Sequence, residues 1–389
     1  MDFSIPSEFL EDRKRFKAFL EEHLVPNLSN WYKQGRVPRE FHLALGEGGW
    51  FGFEMKNGSL TKQPALRDAL IGEEIAILSP GVAVAALAQS ELGLMGLWLF
   101  GSEKLKQKYG QSAVKGETLE TLMCLGNSES GAGTDVANIA MQAKKVDGGW
   151  LLNGVKAYVT NGLISDMAVL TAVSDPQALR NSRISMFLVD LGAEGVTRKK
   201  LNKQVWIPSD LTRITLTNAF VPEDHILGKR GRGLQQVLTI FTYSRAPISA
   251  LTLATAVGAY EMAIDHGKRR EVLGHKIVEF QAKAFEIADF YARIEAARLM
   301  LWKACAAMDR GEDFRLESSL AKYLAVGIAR EVTSWAADLF GAASVIQEHP
   351  VHKFPMDAWA SSLGEGTQDV QKLVIFREVM KKYGVGSRF

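Results

Sequence analysis

The spacing of apolar residues changes twice along the 389-residue chain. Toward the N-terminus, segments such as Phe9–Val25 and Leu66–Leu78 carry apolar residues three and four positions apart, as amphipathic helices do. From about Glu117 to Gly228 short β-prone runs take over, and from about Leu234 to Lys382 the helical spacing returns. Strands and helices are therefore segregated, which argues against the alternation that builds a parallel doubly wound sheet.

This order predicts a protein that is mostly α with a middle β domain. The predicted domains are an N-terminal helical domain at 1–118, a β domain at 119–229 and a C-terminal helical domain at 230–389. The predicted strands are Trp150–Leu152, Ala157–Thr160, Met167–Ala172, Ile184–Val189 and Arg213–Leu216. Turns should fall between strands at Asp147-Gly148-Gly149, Asn153-Gly154 and Asn161-Gly162, because Asn-Gly and Asp-Gly pairs favour tight turns.

The C-terminal helices are predicted to pack as a bundle. In Ile287–Met308 the apolar residues alternate spacings of three and four, giving one continuous stripe that Gly311 should end. A second helix is predicted over Glu317–Phe340, where Gly341 should stop it. A third should begin near Thr367, a residue type that favours the helix N-cap.

Charge and cysteine content exclude several classes of protein. The formal net charge is +2, so nothing indicates the clustered cations that bind nucleic acid. With only two cysteines, Cys124 and Cys305, no disulfide framework is expected, and a cytoplasmic location is the better prediction.

The N-terminus does not resemble a signal peptide. Apolar runs such as 81–88 fall far short of the roughly 20 residues that cross a bilayer, so no membrane span is expected.

Two segments of the middle region could surround a flat cofactor. The loop Gly126–Asp135 is rich in small and hydroxyl-bearing residues, so its N–H groups could approach an anion or a ring; it could equally be a flexible loop at a domain boundary. In Lys156–Gly162, Tyr158 and Thr160 should share one strand face, where a ring and a hydroxyl could contact the cofactor. Alone, this second pattern also suits an ordinary strand that enters a turn.

Two segments of the C-terminal region carry charged candidates. Glu365 lies between two glycines just before a predicted helix start. An apolar cavity there would raise its pKa and make it a better proton acceptor, whereas the alternative is an acidic residue that stabilises the positive end of the helix. In Lys268–His275, Arg270 could bind a pyrophosphate through its planar guanidinium, although a solvated charged stretch between helices has the same composition.

Other motifs are incomplete. Gly228, Gly231 and Gly233 follow the pattern GxxGxG, which is not the dinucleotide fingerprint, and GxSxG is absent. His349 and His352 stand three positions apart, but no third ligand is nearby in sequence and a proline separates them. No metal site is therefore predicted.

In this order and at these separations, the segments resemble the acyl-CoA dehydrogenase family over nearly the whole chain. Ser128–Asp135 looks like the family's Thr-Glu-Pro-x-Ala-Gly-Ser-Asp segment, and Lys156–Gly162 looks like its Lys-x-Trp-Ile-Thr-Asn-Gly stretch. Phe100–Tyr109 resembles its Gly-Ser/Thr-Glu-x-Gln-Lys helix, and Glu365-Gly366-Thr367 resembles its Glu-Gly-Thr motif. The resemblance implies an N-terminal helical domain, a barrel-like or sandwich β domain, a C-terminal four-helix bundle, and FAD as the cofactor.

The resemblance also implies roles for particular residues. Glu365 would be the catalytic base that removes the α-proton of an acyl thioester. The residues that bind FAD would be Leu125, Ser128, Thr134, Tyr158, Thr160, Arg270, Gln281, Gly341, Thr367 and Asp369. The residues that bind substrate would be Thr134, Arg245, Gly364 and Gly366. Arg270, Gln281 and the turn at Gly341 would reach the FAD of a neighbouring subunit, so a homotetramer or a homodimer is expected.

The implied activity is the FAD-dependent α,β-dehydrogenation of an acyl thioester, with acyl-CoA as the expected form. The β-hydride would pass to flavin N5, and the electrons would leave to an electron-transfer flavoprotein or a similar acceptor. The sequence departs from the family at several positions, for instance Ser130 in place of a proline, Leu273 in place of a phenylalanine and Asp369 in place of a glutamine. Gly364 stands where straight-chain relatives carry a bulky residue, which favours a wider pocket for a branched or cyclic acyl group.

Three alternatives stay open within this resemblance. A flavin monooxygenase of the same fold is one, although such enzymes usually lack the carboxylate of Glu365. A non-catalytic, DNA-associated FAD protein is another, and the near-neutral charge speaks against it. The third retains the dehydrogenation but takes an acyl group carried by a protein in place of CoA.

Overall fold

A computed structural model describes residues 4–114, 121–347 and 349–386. The predicted boundary between the first two domains, at 118/119, lies outside these residues. The N-terminal helices are α1 (Ser7–His23), α2 (Leu28–Gln34), α3 (Arg39–Glu47), α4 (Ala65–Leu78), α5 (Pro80–Leu87), α6 (Met95–Phe100), α7 (Glu103–Leu105) and α8 (Gln111–Val114). Both helices predicted in this region are confirmed, as α1 and α4. The π-helical segment Ala88–Leu94 joins α5 to α6 without a break.

A short hairpin that the sequence analysis did not predict lies among these helices. Its strands are β1 (Phe53–Lys56) and β2 (Ser59–Lys62), which pair antiparallel. Asn57 and Gly58 form the turn with φ values of 53° and 79°, and such positive values at both central positions are what a tight type I′ hairpin turn requires.

The middle region is a β domain, as predicted, and its strands are mostly antiparallel. Its strands are β3 (Met123–Gly126), β4 (Gln142–Val146), β5 (Gly149–Thr160), β6 (Met167–Val173), β7 (Ile184–Asp190), β8 (Val196–Lys200), β9 (Leu211–Pro222) and β10 (Ile226–Leu227). They form one eight-stranded sheet in the order β10-β7-β6-β4-β5-β9-β8, with β3 parallel to β6. Trp150 and Phe187 pack edge to face in the buried core of this sheet.

The predicted turn at Asn153-Gly154 is wrong. Both flanking segments belong to the single long strand β5, and its pairing with β9 shifts register between Leu152 and Gly154. Gly154 has a φ of 145°, and a Cβ there would lie 2.8 Å from the Cα of Met141. The glycine therefore lies at an irregularity inside a strand, where the backbone just before β4 approaches closely.

The C-terminal region consists of long packed helices, as predicted. They are α9 (Gly233–Arg269), α10 (Gln281–Asp309), α11 (Arg315–Phe340), α12 (Lys353–Ala360) and α13 (Gln368–Lys382), with a small hairpin of β11 (Glu271–Val272) and β12 (His275–Lys276) after α9. Gly311 follows α10 with a φ of 66°, and Gly341 is the C-cap of α11. Thr367 is the N-cap of α13, where its hydroxyl accepts a hydrogen bond from the N–H of Val370.

Among the described residues, two helices are apolar and long enough to cross a membrane by length and composition alone. They are Pro80–Phe100 and Gly233–Arg269, with mean hydropathies of 1.5 and 1.3. The sequence predicts no membrane span because its uninterrupted apolar runs are short. These helices are longer than such runs because isolated polar residues interrupt their apolar ones. The most apolar window of each is 83% and 67% buried inside the protein, respectively, so core packing accounts for their composition.

Candidate active site

Glu365 lies in the loop between α12 and α13. Its Oε2 accepts a 2.5 Å hydrogen bond from the hydroxyl of Ser244 on α9. The carboxylate therefore points inward against the longest helix of the bundle. Its φ of 56° is in the left-handed region that non-glycine residues seldom adopt, and such strain clusters at functional sites.

Two buried side chains that the sequence analysis missed hold this loop in place. The ammonium of Lys322, on α11, donates hydrogen bonds to the carbonyls of Gly364 and Gly366. The amide of Gln371, on α13, donates to the carbonyls of Glu365 and Gly366 at 3.1 and 3.0 Å. Both side chains are fully buried. The backbone on each side of Glu365 is therefore fixed by donors from two helices.

The surroundings of Glu365 change its acidity. Burial raises the pKa of Glu365, while the hydrogen bond from Ser244 and the positive charges of Lys322 and Arg245 act in the opposite direction. Burial also lowers the pKa of Lys322 to about 7 and lowers the pKa of Arg245. A carboxylate with a raised pKa is a stronger proton acceptor, which is what a general base needs.

A second group of predicted residues meets at one edge of the β domain. Leu125 lies in β3, and Ser128 follows it, with its carbonyl accepting a 2.9 Å hydrogen bond from the N–H of Ala157 in β5. As predicted, Tyr158 and Thr160 share the more exposed face of β5, because the alternate residues are buried. Tyr158 is 60% exposed and has a φ of 61°. The hydrogen bond from Ala157 thus holds the residue Ser128 beside the segment of β5 that carries Tyr158 and Thr160.

The loop that carries Ser128 is anchored by a buried ion pair. The ammonium of Lys156, which is fully buried, lies 2.7 Å from Oε1 of Glu129 and 2.9 Å from the carbonyl of Asn127. Glu129 in turn accepts hydrogen bonds from the N–H groups of Ala140 and Met141. These contacts argue against the flexible-loop alternative. Lys156 was missed, because strand alternation places it on the more exposed face of β5 and a register shift in that strand accompanies its burial.

The two groups of residues are connected through α5. The amide of Asn161, directly after β5, donates a 2.7 Å hydrogen bond to the carbonyl of Ala85 in α5. Helix α5 packs against α9, which carries Ser244. The β-domain edge therefore contacts α5, and the Glu365 loop contacts α9, the helix against which α5 packs.

A basic cavity of about 330 Å³ lies on the β domain where β10 leads into α9. It is lined by Ser174, Asp175, Ala178, Ser182, Lys229, Arg230, Gly231 and Arg232. Thr134 is exposed. Its neighbour Asp135 forms a 2.5 Å ion pair with Arg180, which lies in sequence between the lining residues Ala178 and Ser182. Three cations in one cavity suit phosphate groups.

The residues at the β-domain edge fit FAD. The exposed Tyr158 ring, beside the hydroxyl of Thr160, offers a flat wall with a hydrogen-bonding group. A Cβ added at Gly131 or Gly133 would meet no atom within 4 Å, so the backbone of the anchored loop stays open to a ligand. Within residues 4–114, 121–347 and 349–386, no group of three His, Cys, Asp or Glu side chains could hold a metal ion.

Three predicted FAD-binding residues lie far from Glu365. Arg270 is the C-cap of α9, Gln281 begins α10, and Gly341 follows α11; all three are exposed. At about 1.5 Å per helical residue, Arg270 is about 39 Å along α9 from Ser244. The structure does not bring these residues together with Glu365 in one chain. Asp369 is also exposed, in the first turn of α13.

Comparisons with known proteins cover nearly the whole chain. The models of the acyl-CoA dehydrogenase N-terminal, middle and C-terminal domains match residues 7–117, 124–218 and 231–380. The probable acyl-CoA dehydrogenase FadE25 of Mycobacterium tuberculosis is 33% identical over 382 residues, which are 97% of each chain. The caffeyl-CoA reductase-Etf complex subunit CarC of Acetobacterium woodii is 29% identical, over 95% of this chain and 97% of CarC.

A solved structure shows the same fold. Butyryl-CoA dehydrogenase from Megasphaera elsdenii superimposes with a TM-score of 0.92 at 28% identity, covering 98% of this chain and all of the other. The predicted fold class is confirmed. The chain therefore belongs to the acyl-CoA dehydrogenase family, and it is an FAD-dependent oxidoreductase with the three-domain fold of that family.

Proposed function

We propose that this protein oxidises the bond between the α and β carbons of an acyl-CoA, with Glu365 as the base that removes the α-proton. The observation that carries the proposal is the inward carboxylate of Glu365, which accepts a 2.5 Å hydrogen bond from Ser244. Burial raises the pKa of this carboxyl group. FAD, when bound, accepts the β-hydride and so supplies the redox chemistry.

The residues of the chain perform the proton transfer. An α-proton beside a thioester is too weakly acidic for a carboxylate in water, so the base must be strengthened and the enolate stabilised. Burial raises the pKa of Glu365 and so makes its carboxylate a stronger base. The bonds from Lys322 and Gln371 fix the loop, so the carboxylate and the backbone N–H of Glu365 keep one orientation toward the substrate. This N–H is the donor that we assign to the thioester oxygen.

The basic cavity supports CoA rather than a carrier protein as the acyl carrier. The phosphates of the CoA nucleotide would contact Lys229, Arg230 and Arg232. A pantetheine arm on a carrier protein has no nucleotide and only a single phosphodiester. Thr134 would contact the pantetheine between this cavity and the β-domain edge. A truncated pantetheine thioester should therefore bind much more weakly than the corresponding CoA thioester.

The space around Gly364 supports a branched or cyclic acyl group. A Cβ added to Gly364 would meet no atom within 4 Å. The residue directly before the base therefore leaves room that a bulky side chain would fill. Gly366, on the other side of the base, has no such freedom, because a Cβ there would lie 2.9 Å from Nε2 of Gln371.

We also propose that the enzyme is a homotetramer or a homodimer in which Arg270, Gln281 and Gly341 bind the FAD of a partner subunit. Their separation from Glu365 supports this, as does exposed apolar surface close to them in sequence, in the β11–β12 turn and on α10. Leu273 is 89% and Phe285 is 66% exposed, which is unusual for large apolar side chains unless another surface covers them.

We also propose an electron acceptor and a cellular location. An electron-transfer flavoprotein is the proposed acceptor, because CarC is named as a subunit of an Etf complex. A cytoplasmic location is proposed because Cys124 and Cys305 are both buried and free.

Anaerobic titration of the yellow holoenzyme with a panel of acyl-CoAs tests the proposed function. We expect the flavin absorbance to bleach with at least one short, branched or cyclic acyl-CoA. Bleaching by none of them would refute the proposal. Oxygen consumption coupled to substrate hydroxylation would instead assign the protein to the monooxygenases of this fold.

A further inference from the structure

A small cavity lies between α4, α5 and α9, deep in the helical part of the protein. Its volume is about 50 Å³, and its lining includes Trp50, Asp68, Ile75, Leu87, Glu91 and Leu251. Because roughly 10–15 Å³ of such space holds one water molecule, the cavity has room for a few heavy atoms. Most of the lining is apolar, but two carboxyl groups close one end.

This cavity lies on the face of α9 that carries the hydrogen bond to Glu365. Pro247 and Leu251 line it, and they follow Ser244 by three and seven positions, which places all three residues on one side of the helix. At about 1.5 Å per residue, Leu251 is about 10 Å beyond Ser244. An acyl group whose α-carbon meets Glu365 would therefore extend along α9 into this cavity.

The polar end of the cavity is an ionic cluster of Lys62, Asp68 and Glu91, in which Asp68 also lies 3.7 Å from the guanidinium of Arg67. The ammonium of Lys62 pairs with Asp68, and it lies 3.0 Å from Oε1 of Glu91. Its remaining contact is the carbonyl of Gly52 at 3.4 Å. The three charged side chains are 11%, 9% and 4% exposed. Lys62 therefore has no further donor to offer to Glu91.

One oxygen of this cluster is left without a partner. Glu91 is 3% exposed, and among the described residues none forms a hydrogen bond with its Oε2. A buried carboxylate oxygen without a donor is costly, so such atoms usually have a water or a ligand beside them. A purely structural ion pair between Lys62 and Glu91 explains Oε1 but leaves Oε2 unexplained.

We propose that Glu91 is a specificity-determining residue: it makes this cavity select a short acyl group whose far end carries a hydrogen-bond donor, bonded to Oε2 of Glu91. The proposal rests on the proposed function, because it places the acyl chain of that substrate. A terminal carboxylate is disfavoured, since it would approach Glu91 and Asp68. A terminal methyl group is accommodated by the apolar walls but leaves Oε2 unsatisfied.

The donor could be a hydroxyl or an ammonium group, and substrate analogues distinguish the two. The holoenzyme is assayed with pentanoyl-CoA, its ω-hydroxy and ω-amino derivatives, and adipoyl-CoA, which ends in a carboxylate. We expect a donor-bearing substrate to exceed pentanoyl-CoA in kcat/KM by about ten- to a hundredfold, the range for a hydrogen bond to a charged group. The better of the two derivatives identifies the donor.

Variants of Glu91 test whether this residue causes the preference. In Glu91→Leu the kcat/KM of the donor-bearing substrates should fall to about that of pentanoyl-CoA. Glu91→Gln, which is nearly the same size as the native residue, should retain part of the preference for the hydroxyl derivative. Glu47→Gln, an exposed change on α3, is the matched control and should leave the preference intact.

The possible failures can be told apart. If pentanoyl-CoA or adipoyl-CoA is turned over as well as the donor-bearing derivatives by the unaltered enzyme, the subsite assignment is wrong while the proposed oxidation stands. A preference that persists in Glu91→Leu also overturns it. Failure of every thioester to reduce the flavin would overturn the proposed function itself, and the subsite with it.

Discussion

The hydroxyl of Ser244 and the carboxylate of Glu365 form a 2.5 Å hydrogen bond that joins α9 to the loop before α13. The bond bridges 121 positions of sequence, so only the folded bundle brings the two groups together. It fixes the orientation of the proposed base. It also lowers the pKa of a carboxyl group whose pKa is raised by burial.

Removing this hydroxyl should shift the pH dependence of catalysis. The base acts only when ionised, so turnover rises as the pH increases through the pKa of Glu365. Because the Ser244 bond favours the ionised form, Ser244→Ala should raise that pKa further and move the rising limb to higher pH. The kcat–pH profile measures this. Thr242→Ala, which removes a hydroxyl bonded to the Leu238 carbonyl, is the control. A limb that stays in place or moves to lower pH contradicts the account.

Lys322 should act as a positioning residue for the loop. Lys322→Met leaves the carbonyl of Gly364 without its buried donor and the carbonyl of Gly366 with Gln371 alone, so the carboxylate between them should lose its fixed orientation. We expect kcat to fall by about tenfold or more, within the roughly hundredfold that small misplacements cost, while FAD content is retained. Loss of the positive charge should also move the rising pH limb upward.

The exposed Lys372→Met, on α13, is the matched control for this change. Normal kcat and an unchanged pH profile in Lys322→Met would show that the lysine only stabilises the fold.

Some features of this site could be predicted from the sequence and others could not. The Glu-Gly-Thr motif identified Glu365 because its glycines and helix start are local. Lys322 was missed, although it occupies a helical stripe with Ser319, Val326 and Ala329, all of them buried, and a lysine in such a stripe is rare. Ser244 offered no local signal, because a serine within a helix acquires its partner only through the packing of the bundle.

The error at Asn153-Gly154 has a similar cause. The dipeptide favours a turn, but pairing with β9 continues on both sides of it and converts it into an irregularity within the strand. Long-range strand pairing decided the outcome there, and a single sequence does not contain that information in readable form. The helices α10 and α11 were predicted well because their apolar stripes and their terminal glycines are local features.

Enlarging the residue before the base should change substrate selectivity. Gly364 has open space around its Cα, so Gly364→Tyr should fold and place a ring where a branched or cyclic acyl group would lie. The ratio of kcat/KM for branched to straight-chain acyl-CoAs should fall by about tenfold or more, since poor steric fit costs a few kcal/mol. Gly364→Ala should leave the ratio near its original value. Unchanged selectivity in Gly364→Tyr would remove the wider-pocket proposal.

Mixing two inactive chains should restore activity if the FAD site is shared between subunits. A Glu365→Gln chain retains a native Arg270, and an Arg270→Ala chain retains a native Glu365. In a mixed oligomer one site would combine both native residues, because within one chain Arg270 is about 39 Å along α9 from Ser244, the hydrogen-bond partner of Glu365. Co-expression followed by an activity assay measures this. If each variant is inactive and the mixture remains inactive despite assembly, the shared-site proposal fails.

The most direct measurement is the anaerobic reduction rate of the bound flavin, with the best acyl-CoA of the panel, in the unaltered enzyme and in Glu365→Gln. The change retains the size of the side chain and removes its basicity. We predict that the variant purifies yellow, with a normal FAD content, and that its flavin is reduced roughly 10²–10⁴-fold more slowly or not at all. Reduction of the variant's flavin at the rate of the unaltered enzyme would contradict the assignment of Glu365 as the base.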